Sequence, residues 1–263
     1  MNAPNTANAA PLRPVLILKV GQTHEAIRAR LGDFDHWIAA GLQLGGAHTV
    51  TLDPRNGAAL PEPSTLTGIV ITGSHAMVSD REPWSEALLP WLRHAVECQT
   101  PVLGICYGHQ LLAHALGGEV GFHPDGVEIG TVEVQRHPAS NGDPLLGGLP
   151  EVFEAQATHW QSVRTLPPGA VLLAGNAFEP HHAFRMGGSA WGVQFHPEFS
   201  DQALRAYLEQ LGPALTGVGK DPQAIAAALK PTPLAAALLP TFAGLALAQR
   251  AVATACGEAV SGA

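Results

Sequence analysis

The stretch Gly104-Ile-Cys-Tyr-Gly-His-Gln-Leu-Leu-Ala-His-Ala-Leu-Gly-Gly118 joins an apolar run to a helical pattern and places a cysteine at the junction. A cysteine that only fills space needs no glycine two residues away on either side, yet Cys106 lies between Gly104 and Gly108. In a nucleophile elbow the reactive residue occupies the apex of a tight strand-to-helix turn, where side chains at these flanking positions would collide with backbone. The spacing predicts that Cys106 is an exposed nucleophile. The N-terminus of the following helix, residues 108–116, is expected to favour its thiolate form.

Apolar runs alternate with helical patterns on both sides of this junction. The runs lie at residues 15–20, 48–52, 68–72 and 101–105. They are mostly apolar, which is typical of parallel strands buried on both faces. Because residues 32–44 and 84–98 carry apolar side chains at helical spacing between them, we predict an α/β fold, doubly wound around a mostly parallel sheet.

The pattern changes after Gly118. Short alternating segments at residues 126–137 and 152–156 predict a small antiparallel excursion. Late strands are then expected at residues 170–174, 182–185 and 190–195, followed by a helix capped by Ser200 over residues 200–211. The last fifty residues are rich in Ala and Leu and predict helix interrupted by Pro231 and Pro233.

Composition excludes several classes of protein. A formal charge of -8 on 263 residues argues against a nucleic-acid-binding surface or a polybasic membrane surface. Three unevenly spaced cysteines do not suggest a disulfide framework and favour the cytoplasm; Cys98 and Cys256 are expected to be buried structural residues. No signal peptide is predicted. The longest apolar stretch, residues 234–248, is too short to span a bilayer, is broken by Pro240 and predicts a packed helix.

A second motif, Gly192-Val-Gln-Phe-His-Pro-Glu-Phe199, follows a predicted strand. Because residues two apart in an extended segment point to the same side, Glu198 can reach one imidazole nitrogen of His196 while the other nitrogen faces a thiol. Taken alone, this motif would more often be an ordinary turn. Together with the cysteine turn it predicts a Cys-His-Glu triad.

The two motifs, with Leu-Gly-Gly behind the first, resemble those of the class I (triad-type) glutamine amidotransferase domain, most of all the glutaminase half of GMP synthase and its stand-alone relatives. The resemblance extends over residues 15–211. It implies a flavodoxin-like fold in which Cys106 attacks the side-chain amide of glutamine, forms a γ-glutamyl thioester and releases ammonia. Water then frees glutamate, and no cofactor is implied.

The same resemblance assigns further site residues. It implies that the backbone N–H groups of Gly73 or Ser74 and of Tyr107 hold the tetrahedral oxygen, although the family commonly has a second glycine where this chain has Ser74. Gln110 matches the glutamine of the family motif and is expected to help hold the substrate. His159 falls where related domains carry an active-site loop; it either borders the pocket or lies in a surface turn.

Other motifs are set aside. The 13 histidines include no HExxH pattern and the cysteines no CxxC pattern, so no metal site is predicted. Residues 217–221 are not a phosphate loop, because Ala214 stands where its first glycine is required. No Ser-Gly-Gly-x-Asp-Ser run occurs, and the 65 residues after Glu198 are too few for an ATP-using synthetase domain.

We therefore expect a flexible tail at residues 1–13, an amidotransferase domain at residues 14–212 and a C-terminal helical extension at residues 213–263. The preferred function is hydrolysis of glutamine for a separate synthetase chain. A γ-glutamyl peptidase or amide hydrolase acting alone, and a non-catalytic binding module, stay open. The nitrogen acceptor, the partner and the oligomeric state, including a homo-oligomer, are not determined by the sequence.

Overall fold

The computed structural model describes residues 13–44 and 48–261, with residues 250–261 as backbone alone. The predicted N-terminal tail lies outside the described residues except for Arg13. The strands are β1 (Val15–Leu18), β2 (Thr49–Leu52), β3 (Gly68–Ile71), β4 (Val102–Ile105), β5 (Glu119–Phe122), β6 (Glu128–Arg136), β7 (Val152–His159), β8 (Gln161–Thr165), β9 (Val171–Gly175), β10 (Ala183–Met186) and β11 (Ala190–Val193). The α-helices are α1 (Glu25–Leu31), α2 (Phe34–Leu42), α3 (Pro83–Glu97), α4 (Tyr107–Ala115), α5 (Asp201–Gly217), α6 (Pro222–Ala228), α7 (Pro233–Ala236) and α8 (Leu238–Ser261).

The central sheet is mixed. Its order is β2-β1-β3-β4-β11-β10-β9-β6-β7, and β5 pairs with β8 in a separate two-stranded sheet. The first five strands of this order are parallel. The others are antiparallel to their neighbours. The predicted α/β class is confirmed, and the antiparallel strands form one end of the sheet.

Helices cover both faces of the parallel strands. On one face Ile17 of β1 packs in the same core as Phe242 of α8. On the other face Leu16, its neighbour on β1, packs with Leu92 of α3 and Leu111 of α4. This alternation follows from the two-residue period of a strand. Each residue of β1, β3, β4 and β11 is buried, whereas β2 lies at the sheet edge and is only partly buried.

The apolar stretch at residues 234–248 forms α7 and the first part of α8, as packed helix. The helix breaks at Ala237 and not at Pro240, because Pro240 is the third residue of α8, where its missing N–H removes no intrahelical hydrogen bond. A Cβ on Gly41 of α2 would lie 2.3 Å from Cδ1 of Leu239, so the glycine lets the two helices approach closely.

No single helix in the described part of the chain has both the length and the hydropathy of a membrane span. The segments Pro222–Ala228 and Pro233–Gln249 reach those values only when added together across a bend of 76°.

Candidate active site

Cys106 lies between β4 and α4 in a tight turn. Its φ is 51° and its ψ is −102°, a region that residues with side chains rarely adopt. A Cβ on Gly104 would lie 2.4 Å from the carbonyl oxygen of Gly108, and a Cβ on Gly108 would lie 2.5 Å from that of Ile71. Neither position has room for a side chain. The turn has the geometry of the elbow that the spacing predicts.

Cys106 opens into a cavity of about 220 Å³. The residue is only 7% exposed, so the prediction of an exposed cysteine was wrong: Cys106 is accessible from the cavity and is otherwise enclosed by the turn. The expectation that Cys98 is buried was also wrong, because Cys98 is exposed at the end of α3. The side chain of Cys256 lies outside the described residues.

His196 and Glu198 form a buried pair beside Cys106. Nδ1 of His196 lies 2.8 Å from Oε1 of Glu198, and the two side chains are 3% and 0% exposed. A Cβ on Gly73 would lie 3.2 Å from Cε1 of His196 and 3.8 Å from Cβ of Cys106, so both side chains border the same backbone. Burial lowers the pKa of His196, but the negative charges of Glu198 and of Cys106 outweigh it and raise this pKa to about 10.

Three backbone N–H groups near Cys106 have no acceptor within the described chain. They belong to Gly73, Ser74 and Tyr107. Tyr107 is the first residue of α4, where an N–H has no intrahelical partner. The Ser74 hydroxyl accepts a hydrogen bond from the N–H of Ala76 at 3.1 Å, so this side chain bonds to the backbone of its own loop. The Tyr107 side chain points to α3, where its hydroxyl lies 2.8 Å from Oγ of Ser85, so only the backbone of Tyr107 is available at the cavity.

Gln110 and His159 line the cavity together. Nε2 of Gln110 donates to the carbonyl of Gln161 at 2.8 Å and to Oε1 of Gln194 at 3.0 Å. His159 is 4% exposed at the end of β7, which excludes the surface-turn alternative. Its Nδ1 lies 3.0 Å from the carbonyl oxygen of Gln161, and its Nε2 lies 2.9 Å from Oε2 of Glu128. Protein acceptors therefore occupy both ring nitrogens of His159.

Glu128 is a buried carboxylate that the sequence analysis missed. Its Oε2 lies 2.9 Å from Nε2 of His159 and 3.2 Å from Nε2 of His182, and its Oε1 accepts from Asn176 at 2.9 Å. Burial opposes ionisation, yet contacts with the two histidines hold the pKa of Glu128 below its ordinary value. No local motif marks this residue, because its partners come from two distant segments: His159 ends β7, and Asn176 and His182 lie between β9 and β10. Glu128 braces His159 from behind the cavity.

Five aromatic side chains line another part of the cavity, and we call them the aromatic wall: His24, Phe34, His75, Phe199 and Tyr207. Their ring centroids lie 4.4 Å apart for His24 and His75, 5.3 Å for Phe199 and Tyr207, and 6.1 Å for Phe34 and Phe199. The sequence analysis missed all five. For His24 and His75 a signal existed, because each follows the carboxyl end of a parallel strand, where ligand sites of such sheets lie.

Among the residues that the structure describes, no three metal-ligating side chains of the cavity lining bring their ligand atoms within 4.8 Å of one another. Within the described residues, a group of Glu62, His94 and Cys98 brings its ligand atoms within 4.8 Å of one another on the surface. None of the three lines the cavity. Nε2 of His94 already lies 2.8 Å from Oε1 of Glu62. The cavity itself thus offers thiol, imidazole and backbone chemistry.

The fold and cavity define a class of protein: an α/β domain with a cysteine elbow and a His-Glu pair at the carboxyl ends of its parallel strands. The model of the family "Glutamine amidotransferase class-I" matches residues 33–211. The chain belongs to this family of amidohydrolase enzymes. A solved structure of a glutamine amidotransferase from Methylobacillus flagellatus is similar, with a TM-score of 0.68 and 26% identity over 88% of this chain and 91% of that one.

Relatives by sequence carry two kinds of name. The chain is 35% identical to the glutamine-hydrolyzing GMP synthase of Aeropyrum pernix over 64% of its own length and 31% of that relative. It is 38% identical to a subunit of the glutamine-hydrolyzing GMP synthase of Thermococcus kodakarensis over 41% of its length and 55% of that relative. It is 31% identical to the gamma-glutamyl-L-1-hydroxyisopropylamide hydrolase of a Pseudomonas species over 58% of its length and 54% of that relative. The matches thus span from about a third to about half of these relatives.

Proposed function

We propose that this amidotransferase-family enzyme hydrolyses the side-chain amide of glutamine through Cys106, His196 and Glu198. The observation that carries the proposal is the buried imidazole of His196, whose pKa the charges of Glu198 and Cys106 raise to about 10. An imidazole that keeps its proton at neutral pH beside a cysteine is suited to stabilise a thiolate and then to protonate a leaving amine.

In the first half of the reaction the Cys106 sulfur attacks the amide carbon, and the carbonyl oxygen takes up negative charge. The N–H of Tyr107, with that of Gly73 or Ser74, supplies hydrogen bonds to this oxygen. His196 gives its proton to the leaving nitrogen, the C–N bond breaks and ammonia departs. A γ-glutamyl thioester remains on Cys106.

In the second half His196 takes a proton from water, and the resulting hydroxide attacks the thioester carbon. The C–S bond breaks, glutamate leaves and the thiolate of Cys106 is restored. Glu198 acts through His196 by holding its ring at 2.8 Å and stabilising its protonated form. Gln110 contributes to substrate binding through Oε1, which no donor of the described chain occupies.

We further infer that the ammonia serves a separate synthetase chain. One similarity supports this inference: a relative is named as a subunit of a glutamine-hydrolyzing GMP synthase. Such glutaminase sites are expected to stay poorly aligned until the partner binds, so that glutamine is not hydrolysed without an acceptor. The isolated chain would then turn over slowly.

A second candidate is a hydrolase of γ-glutamyl amides that acts alone. The relative named for such an amide favours it, as does the aromatic wall, which glutamine alone would not need. Both candidates use the same three residues and the same thioester.

The test is glutamate release from glutamine and from γ-glutamyl amides by the purified chain. Wild type, Cys106→Ala and Cys98→Ala are compared, since Cys98 is an exposed cysteine that does not line the cavity. We expect Cys98→Ala to match wild type and Cys106→Ala to release no glutamate. Wild-type rates in Cys106→Ala would contradict the proposal. Fast, saturable hydrolysis of glutamine without a partner would contradict only the inference that the site needs a partner to become aligned.

A further inference from the structure

The cavity lining divides into two connected sets of side chains. One set is polar and lies on α4, β7 and β8, where Gln110 donates to the carbonyl of Gln161 at 2.8 Å. The other set is the aromatic wall, whose rings contact one another. Nε2 of His75 lies 3.0 Å from the hydroxyl of Tyr207, and this hydroxyl accepts from Thr23 at 2.8 Å. The rings of the wall are thus in contact with one another, and Thr23 holds the Tyr207 hydroxyl in place by a hydrogen bond.

His196 connects the chemistry to the aromatic wall. Its ring stacks on Phe199 with centroids 4.1 Å apart and an interplanar angle of 29°. A general acid must lie within hydrogen-bonding distance of the nitrogen that it protonates, so the leaving nitrogen of a bound amide lies next to His196. Because Phe199 stacks on His196 and lines the same cavity, a substituent on that nitrogen would lie within reach of the aromatic wall. Glutamine, whose leaving group is ammonia, has no substituent to place there.

The chemistry of the wall favours an apolar, uncharged substituent. No Lys, Arg, Asp or Glu lines the cavity among the residues that the structure describes. Loss of hydration and the neighbouring imidazole of His24 lower the pKa of His75 to about 4, so His75 carries no charge near neutral pH. Nε2 of His24 is buried without a hydrogen-bond partner in the described chain, which leaves room for one polar contact. A carboxylate on the leaving amine, as in a γ-glutamyl peptide, would find no Lys or Arg side chain in the cavity lining.

We propose that the aromatic wall is a leaving-group subsite and that the enzyme accepts γ-glutamyl amides whose amine carries a small, uncharged apolar substituent. The inference rests on the proposed function, since it uses the same thioester route. The C–N bond of the substituted amide breaks, the proton of His196 goes to the amine nitrogen, and water then releases glutamate from Cys106. The only change is that a substituted amine leaves in place of ammonia.

The first experiment measures binding and does not depend on turnover. Isothermal titration of Cys106→Ala compares three probes: γ-glutamylisopropylamide, glutamine and γ-glutamylglycine, which is similar in size to the first but carries a carboxylate. Burial of the isopropyl group against the wall predicts a dissociation constant about tenfold lower for the isopropylamide than for either other probe. Equal or weaker binding of the isopropylamide would overturn the inference.

Paired variants test where the substituent lies. His75→Glu places a carboxylate in the wall, and Leu211→Glu places one beside it, because Leu211 also lines the cavity and lies one helical turn after Tyr207 on α5. Their matched controls, His36→Glu and Leu234→Glu, carry the same changes outside the cavity, at a side chain 73% exposed and a residue 43% exposed. We expect the preference for the isopropylamide over glutamine to fall about tenfold in the first pair and to stay constant in the controls. If the preference is the same in all four variants, the substituent does not bind at the wall.

The two proposals fail in different ways. If wild type hydrolyses glutamine through Cys106 but neither binds nor cleaves the isopropylamide better than γ-glutamylglycine, the subsite is wrong and the proposed function stands. If amides bind with the expected preference while Cys106→Ala still releases glutamate at the wild-type rate, the subsite stands and the catalytic assignment is wrong.

Discussion

Nδ1 of His196 lies 2.8 Å from Oε1 of Glu198, and both side chains are almost completely buried. Within the described chain, Nε2 of the same ring accepts or donates no hydrogen bond. The negative charge of Cys106 nevertheless raises the pKa of this ring. One nitrogen is thus held by a carboxylate and the other is left for the cysteine and the substrate. The different roles of the two ring nitrogens are the basis of the proposed catalysis.

The first prediction concerns the loss of each partner of Cys106. His196→Ala removes the proton donor for the leaving amine and should lower kcat by at least about 100-fold. Glu198→Gln keeps the shape but weakens the orientation of the ring, so its loss should be smaller and its activity measurable. Steady-state glutamate release gives both values. Wild-type rates in either variant would show that another base acts.

The second prediction concerns the pKa of His196, which NMR titration of its ring measures. Because negative charge raises this pKa, both Glu198→Gln and Cys106→Ala should lower it from about 10. A raised pKa means that these contacts stabilise the fold below the ordinary value of 6.5 and that this contribution is lost as pH rises through about 10. An unchanged pKa in both variants would contradict the account.

The third prediction concerns the glycines of the elbow. Gly108→Ala places a Cβ 2.5 Å from the carbonyl oxygen of Ile71, and Gly104→Ala places one 2.4 Å from that of Gly108. Each should lower the free energy of unfolding by about 1–3 kcal/mol and reduce activity, because only backbone movement relieves these contacts. Gly148→Ala is the control, since a Cβ there meets nothing within 4 Å. Chemical denaturation of the three variants gives the comparison; equal stability would show that the turn has room.

The fourth prediction uses the depressed pKa of Glu128. A carboxylate with a lowered pKa stabilises the fold above its ordinary pKa of about 4.5, and this contribution is lost as pH falls below that value. Glu128→Gln should cost about 1–3 kcal/mol at pH 7 and progressively less as the pH falls toward 3. Thermal unfolding across this range measures the difference, and Glu133→Gln, on the exposed side of β6, is the control. A pH-independent difference would exclude the charge as its cause.

The parts of the site that could be predicted are those encoded by local spacing. Gly104, Cys106 and Gly108 lie in one turn. His196 and Glu198 lie two residues apart. The geometry of each group therefore follows from a short sequence motif. The contact between His75 and Tyr207 joins residues 132 positions apart. Such contacts depend on how strands and helices pack, which a single sequence does not display.

The errors have physical causes of the same kind. Cys98 was expected to be buried, as free cysteines usually are, but α3 ends at Glu97 and Cys98, the residue that follows, is exposed. β2 was grouped with the central strands, although its Thr49 and Thr51 alternate with apolar residues; it lies at the edge of the sheet and is only partly buried. Pro240 marks the start of a helix instead of a break because Ala237 already ends the preceding turn.

The most direct measurement is mass spectrometry of the protein quenched in acid during turnover of glutamine or of γ-glutamylisopropylamide. The account predicts an added γ-glutamyl group on the peptide that contains Cys106, absent from the peptide of Cys98 and absent in Cys106→Ala. Hydroxylamine should remove it, as it removes a thioester. Release of glutamate without any adduct on Cys106, or an adduct that persists in Cys106→Ala, would contradict the central claim.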